Sequence, residues 1–191
     1  MSHNPAPDEQ PTVAAICHDG RSDIDGLLVA FAEQQRLAGR RVLGLVMRRR
    51  DPGEGCKSAM VLTDIDTGDE YLVSQALGSG SASCSADPQG FALAGRVLRD
   101  ALEQQPDLVV CNRFGSLEAE NGGFVAELLA LLERGIPVLT VVAPPHLAAW
   151  KRFIGDAPLL PVDPDAWAAW LDAGLLRRRL ATAEPTPATT A

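Results

Sequence analysis

The chain has 191 residues, of which 46% are hydrophobic, and its 25 acidic and 17 basic residues give a formal net charge of −8. This length predicts one domain with a substantial core. The negative charge disfavours nucleic acid and anionic membranes as partners, because the field of the molecule repels polyanions. No apolar run reaches the roughly 20 residues that span a bilayer, and the first residues do not have the pattern of a signal peptide. We therefore expect a cytoplasmic protein without membrane insertion.

Both ends of the chain are predicted to be disordered tails. Residues 1–11 contain three prolines, and residues 182–191 read TAEPTPATTA, so neither stretch has enough apolar surface to offset the entropy of ordering it. A single domain is expected over residues 12–181. Four cysteines occur without a CxxC pair, which argues against a disulfide scaffold and against a zinc ribbon.

Short apolar runs alternate with amphipathic stretches, as is typical of a mostly parallel sheet covered by helices. Near-continuous apolar runs predict buried strands at 13–17, 42–46, 108–111 and 137–142. The spacing of apolar residues predicts three helices, the first capped by Asp25, the second opened by Asp87-Pro88 and the third lying between Gly122-Gly123 and Gly135. The apolar positions expected on their buried faces include Leu37, Leu93 and Leu129.

An insertion interrupts this alternation. Residues 59–73 show a two-residue period about a Thr-Gly turn, which predicts a β-hairpin. The glycine- and serine-rich residues 74–88 are expected to form a long loop. The predicted fold is a three-layer α/β/α sandwich with a mostly parallel sheet and an inserted β-hairpin.

The loop after the first strand is the first candidate site. A strand, a polar glycine-containing loop and a helix form the usual architecture of a phosphate-binding loop, in which backbone N–H groups face an anion. The Walker A pattern is absent, because Ile24 takes the place of the lysine and Asp25 that of the Mg²⁺-binding hydroxyl. The anion-binding candidates here are Asp19, Gly20, Arg21, Ser22 and Asp23.

Two carboxylates in this loop would repel a triphosphate at close range, although Arg21 restores one positive charge. We therefore expect the loop to bind an anion that is smaller or less charged than ATP. The alternative is an ordinary turn between a strand and a helix, capped by an aspartate.

The second candidate site follows the strand at 108–111. Asn112 and Arg113 lie where open α/β sheets bind ligands, and nothing about packing requires them there. Gly115 comes next, followed by the carboxylates Glu118 and Glu120. The two glutamates are candidate general bases or metal ligands, or else solvated residues at the start of a helix.

Several stretches resemble a known bacterial family of unknown function. They are DLVVCNRFGSLEAENGGF, CKSAMVLTDIDTG, CSADP and HLAAWKRF, and the resemblance spans about residues 12–171. Members of the family are described as nucleoside-triphosphatase-like and are often encoded beside molybdate-uptake genes. The family is more remotely similar to small P-loop nucleoside triphosphatases with the motif D-E-I-G-x-x-E, which implies a P-loop-like fold. On that match Asn112 replaces the Walker B aspartate, and Gly115 and Glu118 take the places of the motif's glycine and catalytic glutamate.

Other residues are weaker candidates. Cys17 and Cys111 are expected to be buried core residues, whereas Cys56 and Cys84 lie in polar loops and are candidate reactive thiols or soft metal ligands, with His18 or Met60 nearby. The remaining candidates are each more simply explained by packing or solvation. They are the basic residues Arg48, Arg49 and Arg50, the short-helix residues His146 and Lys151, the tryptophans Trp150, Trp167 and Trp170, and the run Arg177–Arg179.

These observations predict a cytosolic P-loop-like protein with degenerate Walker motifs that binds a nucleotide or a small oxyanion. The resemblance implies a role in handling molybdate or tungstate, and Mg²⁺ would accompany a nucleotide. Arg21 and Arg113 are expected to grip the anion from two sides if their strands are adjacent. One alternative is an active nucleoside triphosphatase in which an arginine replaces the lysine and Glu118 activates water. Another is a regulatory protein with a vestigial pocket. The sequence is compatible with both a monomer and a homo-oligomer.

Overall fold

A computed structural model describes residues 12–18, 20–49, 59–76 and 84–183. In chain order its elements are β1 (Val13–Cys17), α1 (Ile24–Leu37), β2 (Val42–Arg49), β3 (Met60–Asp64), β4 (Glu70–Leu72), β5 (Ser74–Ala76), β6 (Cys84–Ala86), α2 (Pro88–Gln104), β7 (Leu108–Phe114), α3 (Ser116–Ala119), α4 (Val125–Glu133), β8 (Val138–Val142), a 3-10 turn (Pro144–His146), α5 (Leu147–Ile154), β9 (Leu159–Leu160) and α6 (Pro164–Ala183).

Seven of the strands form one sheet in the order β4-β3-β2-β7-β8-β1-β9. The strands from β2 to β9 in this order pair in parallel, whereas the hairpin of β3 and β4 adds to the edge at β2 in antiparallel orientation. Helices α2, α4 and α5 pack on one face of the sheet and α1 and α6 on the other. The predicted three-layer fold with its inserted hairpin is therefore confirmed.

The order of the strands corrects one expectation about the site. Arg21 follows β1 and Arg113 lies near the end of β7, and these two strands are not adjacent because β8 lies between them. The intervening β8 pairs in parallel with both. A chain pattern of alternating strands and helices does not specify which strands become neighbours, so this arrangement was not available from the sequence.

Strand β7 contains a register shift near its end. Cys111 pairs with Thr140 and Phe114 with Val142, so that three steps along β7 correspond to two steps along β8. Because side chains alternate between faces in a regular strand, one extra residue brings Cys111 and Phe114 to the same face. Both side chains pack in the core beneath α2, α4 and α5.

The helix starts follow the predictions with one correction. Helix α1 is capped by Asp23 and not by Asp25, since Asp23 accepts a hydrogen bond from Gly26 N. Helix α2 is capped by Asp87 as predicted. The three leucines expected on buried faces, Leu37, Leu93 and Leu129, are exposed, with Leu37 90% accessible. Leu37 is the last residue of α1, and Leu93 and Leu129 are each one position away from a buried residue of their helix, which places them about 100° around the helix from it.

The stretch predicted as a long loop is not one throughout. Its two ends form a small antiparallel ribbon of β5 and β6, with Ser74 paired to Ala86. Residues 77–83 between these strands lie outside the described residues, as do 1–11, 19, 50–58 and 184–191. Helix α6 continues to Ala183, two residues into the predicted C-terminal tail.

Candidate functional site

Within the described part of the chain, two cavities open at the carboxyl edge of the parallel strands. The first has a volume of about 660 Å³ and is lined by the loop before α1, the first three turns of α1, the end of β2 and Arg113 of β7. We call it the α1 cavity. The second, of about 480 Å³, is lined by the end of β7 and by α3, and we call it the Asn112 cavity. This edge is where open α/β sheets place their ligands.

The loop before α1 is a compact turn. Gly20 has φ +81°, a left-handed conformation that favours glycine. Its N–H donates to Nδ1 of His18 over 3.3 Å, and Ile24 N donates to the carbonyl of Ser22 over 2.9 Å. His18, Gly20, Ser22 and Asp23 line the α1 cavity, whereas Asp19 lies outside the described residues.

The carboxylate of Asp23 lies over the first turn of α1. Its Oδ1 accepts from Gly26 N at 3.1 Å, and its carbonyl accepts from Leu27 N at 3.0 Å. A Cβ at Gly26 would lie only 2.3 Å from Asp23 Oδ2, so this approach requires glycine. Part of the positive end of the helix is thus already neutralised by the chain itself. The loop is both an aspartate-capped turn and one wall of the cavity.

Arg113 is bound to Asp25. The Nη2 atom of Arg113 lies 2.9 Å and 3.0 Å from the two carboxylate oxygens of Asp25, which is 88 positions away in the chain. The two side chains are 26% and 17% exposed, so the pair is partly shielded from water. Arg21 is exposed and is not among the described residues that line the α1 cavity. The expected convergence of Arg21 and Arg113 on adjacent strands is therefore wrong.

The ion pair of Arg113 and Asp25 also determines whether this edge of the sheet can form a Mg²⁺ site of the P-loop type. Asp25 takes the place of the metal-binding hydroxyl, but its two oxygens accept from a guanidinium. Asn112, in place of the Walker B aspartate, is neutral. Within the described residues, no three His, Cys, Asp or Glu side chains are grouped so that they can hold a metal ion. The residues that the structure describes at this edge do not fit that metal site.

Glu118 is 5% exposed and holds the segment that follows β7. One of its oxygens accepts from Gly115 N at 2.9 Å and the other from Phe124 N at 3.1 Å. Gly123 has φ +55°, and a Cβ there would lie 2.0 Å from Glu118 Oε1. In this arrangement the carboxylate fixes the path of the chain from α3 to α4, while Glu120 is exposed.

Asn112 is the most unusual polar residue at this edge. It is 2% exposed, and neither its Nδ2 nor its Oδ1 has a hydrogen-bond partner among the described residues. It lies within the register shift of β7 and lines the Asn112 cavity. The walls of that cavity are mainly apolar and include Met47, Phe91 and Phe124, none of which the sequence marked as a candidate site residue.

The four cysteines differ in their burial and in how much of each the structure describes. Cys111 is buried as expected, and burial raises the pKa of its thiol well above the ordinary value, with Glu118 and Glu127 adding to the shift. Cys17 is half-buried rather than buried. Cys56 lies outside the described residues, and of Cys84 only the backbone, in β6, is described.

The remaining candidates separate into lining and packing residues. Arg48 lines the α1 cavity and His146 the Asn112 cavity. Trp150 and Trp167 are buried core residues, as expected, and Trp150 packs edge-on against Phe114. The described helices include none that is long and apolar enough to cross a bilayer.

Comparisons with known proteins agree with the resemblance seen in the motifs. The profile of the family described as "Protein of unknown function (DUF2478)" matches residues 13–170. The chain is also 40% identical over 143 residues to the "Molybdenum import ATP-binding protein ModC 2" of Bradyrhizobium diazoefficiens. That match covers 75% of this chain and 16% of the relative, so the relative's name describes a much longer protein. No solved structure matches the chain.

Proposed function

We propose that this protein, which belongs to the DUF2478 family, binds a small anion of low charge in the α1 cavity and does not hydrolyse it. The ligand class is a mononucleotide or an oxyanion such as molybdate or tungstate. The observation that carries the proposal is a cavity at the carboxyl edge of the sheet, formed by the start of a helix and by Arg48 and Arg113.

The charges of the lining favour an anion of low charge. Among the described residues, the carboxylates that line the α1 cavity are those of Asp23, Asp25 and Glu33, and the guanidiniums are those of Arg48 and Arg113. Because Arg113 is largely neutralised by Asp25, the groups of the described lining that attract an anion are Arg48 and the remaining N–H groups of the first helical turn. A triphosphate would meet more repulsion here than a monoanion or dianion.

Within the described part of the chain, the arrangement also lacks the parts that phosphoryl transfer requires. Ile24 replaces the P-loop lysine and is 2% exposed, in the core beneath α1. Asn112 provides no charge for a metal ion, and both oxygens of Glu118 are bound to backbone N–H groups. Phosphoryl transfer depends on such charges and on a positioned water, so the proposal excludes efficient hydrolysis.

The relative adds support for the ligand class. Its name refers to ATP binding and to molybdenum import, and this chain resembles a segment that makes up 16% of it. A nucleotide and a molybdenum oxyanion are both anions that a helix start and an arginine can hold.

The first prediction tests the α1 cavity by titration calorimetry with phosphate, molybdate and AMP. Arg48→Ala should weaken the best of these ligands by about 1.5–3 kcal/mol, the scale of a charge-assisted hydrogen bond. Arg134→Ala serves as the control, because Arg134 is exposed and follows α4 just before β8, at the opposite edge of the sheet. Equal affinities in the wild type and Arg48→Ala would place the anion elsewhere.

Hydrolysis is measured on the same protein with ATP, GTP and Mg²⁺. The expected result is no turnover above background. A steady turnover of about 1 per second, the lower end of typical enzyme turnover numbers, that Glu118→Gln abolishes would contradict the proposal and support an active nucleoside triphosphatase.

A further inference from the structure

The side chain of Asn112 presents a donor and an acceptor that no other described residue satisfies. It is 98% buried, and both its Nδ2 and its Oδ1 are without partners. Buried polar side chains are almost always hydrogen-bonded, because a buried unpaired group costs free energy. The extra residue in β7 lies near the carboxyl edge of the sheet, where Asn112 is one of the residues that line a cavity.

The apolar residues that line this cavity can contact a flat apolar group of a ligand. Met47, Met60, Phe91 and Phe124 are among the lining residues, and the rings of Phe91 and Phe124 lie 5.2 Å apart. Aromatic and thioether side chains make favourable contacts with the face or edge of a planar ring. The volume of about 480 Å³ falls within the range of cavities that hold small organic ligands.

An amide in such a surrounding selects its partner by geometry. A carboxamide offers one N–H donor and one oxygen acceptor side by side, so its best partner offers an acceptor and a donor with the same spacing. The edges of nucleobases have this pattern, as in the two-point contact of asparagine with adenine. We propose that the Asn112 cavity binds a nucleobase, with Asn112 as its hydrogen-bonding anchor.

The two cavities adjoin, since Met47 and Arg113 line both of them. Arg113 reaches from one to the other: its Nη2 holds Asp25 beside the α1 cavity, and its buried Nε has no partner among the described residues. A base in the Asn112 cavity would therefore carry its phosphate towards the α1 cavity. This part of the inference rests on the proposed anion site, and it selects a nucleotide over a bare oxyanion.

The second prediction compares probes that differ by one group. AMP and GMP are titrated into the wild-type protein beside ribose 5-phosphate, which lacks the base, and beside adenosine and guanosine, which lack the phosphate. At least one nucleotide should bind roughly 10- to 100-fold more tightly than ribose 5-phosphate, the range expected for a two-point contact to a base. The matching nucleoside should bind weakly but measurably.

Two variants locate the base. Asn112→Leu should abolish the advantage of the nucleotide and leave the affinity for ribose 5-phosphate unchanged. Thr140→Val is the matched control, because Thr140 also has a buried hydroxyl without a partner among the described residues but is not among those lining the cavity. It should leave both affinities unchanged. The comparison of probes uses the wild-type protein alone, so its result does not depend on whether either variant folds.

The outcomes separate this inference from the proposed function. Equal binding of ribose 5-phosphate and of both nucleotides would overturn the base site while leaving the anion site in place. Binding of adenosine or guanosine through Asn112, without any affinity for ribose 5-phosphate, would support the base site and overturn the part of the inference that places the phosphate in the α1 cavity. No binding of any of these probes would overturn the base site, and the anion site would be overturned as well if phosphate and molybdate also fail to bind.

Discussion

Arg113 and Asp25 form the most informative pair of side chains at the carboxyl edge. One follows the buried part of β7 and the other lies in the first turn of α1, so their contact joins the two candidate loops. An ion pair that is partly shielded from water contributes more than an exposed one, and removal of one partner leaves the other charge partly buried. The pair therefore stabilises the edge of the sheet as well as shaping the cavity.

The third prediction concerns the stability that this pair provides. Arg113→Ala should lower the free energy of unfolding by about 1–2 kcal/mol, between the values typical of exposed and of buried pairs. Asp25→Asn should also destabilise, and the double variant should lose less than the sum because the two side chains interact. Urea unfolding of the three variants gives the coupling.

A control uses an exposed ion pair of the same protein. Asp66→Ala removes the contact of Asp66 with Arg36, whose side chains are 50% and 40% exposed, and it should change stability by less than about 0.5 kcal/mol. Strictly additive effects of Arg113→Ala and Asp25→Asn would show that the contact contributes nothing.

The sequence identified most of these residues but not their partners. Asn112 and Arg113 stood out because polar residues at the end of a buried strand are not required by packing. That Arg113 binds Asp25 depends on contacts between segments 88 positions apart, which no local pattern contains. The choice between Asp23 and Asp25 as the cap was also beyond local reasoning, because both residues suit the start of a helix.

At the scale of elements, the start of α1 combines two functions with opposite demands on charge. Asp23 caps the helix through Gly26 N, which stabilises the fold. Its negative charge lines the same cavity that is proposed to take an anion. A neutral capping residue would keep the stabilisation of the helix start and would remove the negative charge from the cavity.

The fourth prediction follows from this conflict. Asp23→Asn should preserve stability, because asparagine caps helices as well as aspartate does, and should strengthen binding of phosphate by roughly 3- to 10-fold through loss of one nearby negative charge. Asp23→Ala should cost about 0.5–2 kcal/mol of stability as the cap is lost. Calorimetric titration and thermal unfolding measure the two quantities, and weaker phosphate binding in Asp23→Asn would contradict the placement of the anion.

Elements were easier to predict than their irregularities. The buried strands, the hairpin of β3 and β4 and the cap of α2 by Asp87 follow from apolar runs, alternation and capping chemistry. The ribbon of β5 and β6 does not, because its two three-residue strands contain none of the β-branched and aromatic residues that favour strands. The extra residue in β7 brings Phe114 into the core, where it contacts Trp150. That contact joins segments distant in the chain, so no local pattern contains it.

At the scale of the whole molecule, one sheet separates two cores. Trp150 is buried beneath α2, α4 and α5, and Trp167 is buried beneath α1 and α6. Both cores share the strands β1, β2, β7 and β8. Detachment of either layer of helices from the sheet would therefore expose apolar residues of the shared strands to water. We expect the described residues to unfold together.

The fifth prediction uses the three tryptophans of the chain as separate probes of the two faces. Trp150→Phe leaves fluorescence from Trp167 and Trp170 in α6, while the double change Trp167→Phe and Trp170→Phe leaves Trp150 in α5. Within each variant the urea midpoint from fluorescence should coincide with that from circular dichroism, as two-state unfolding requires. Separate midpoints would mean that the two faces unfold independently.

The position of β1 determines the order in which the chain can complete its sheet. The neighbours of β1 are β8 and β9, which come from residues 138–160, so the first strand described has no partner until most of the chain is available. To form these contacts the chain must first close a long loop, which costs conformational entropy before any strand pairing contributes stabilising free energy. This slows folding. While the chain is being synthesised, the apolar strand β1 leaves the ribosome long before either partner, and it must stay unpaired until β8 has emerged.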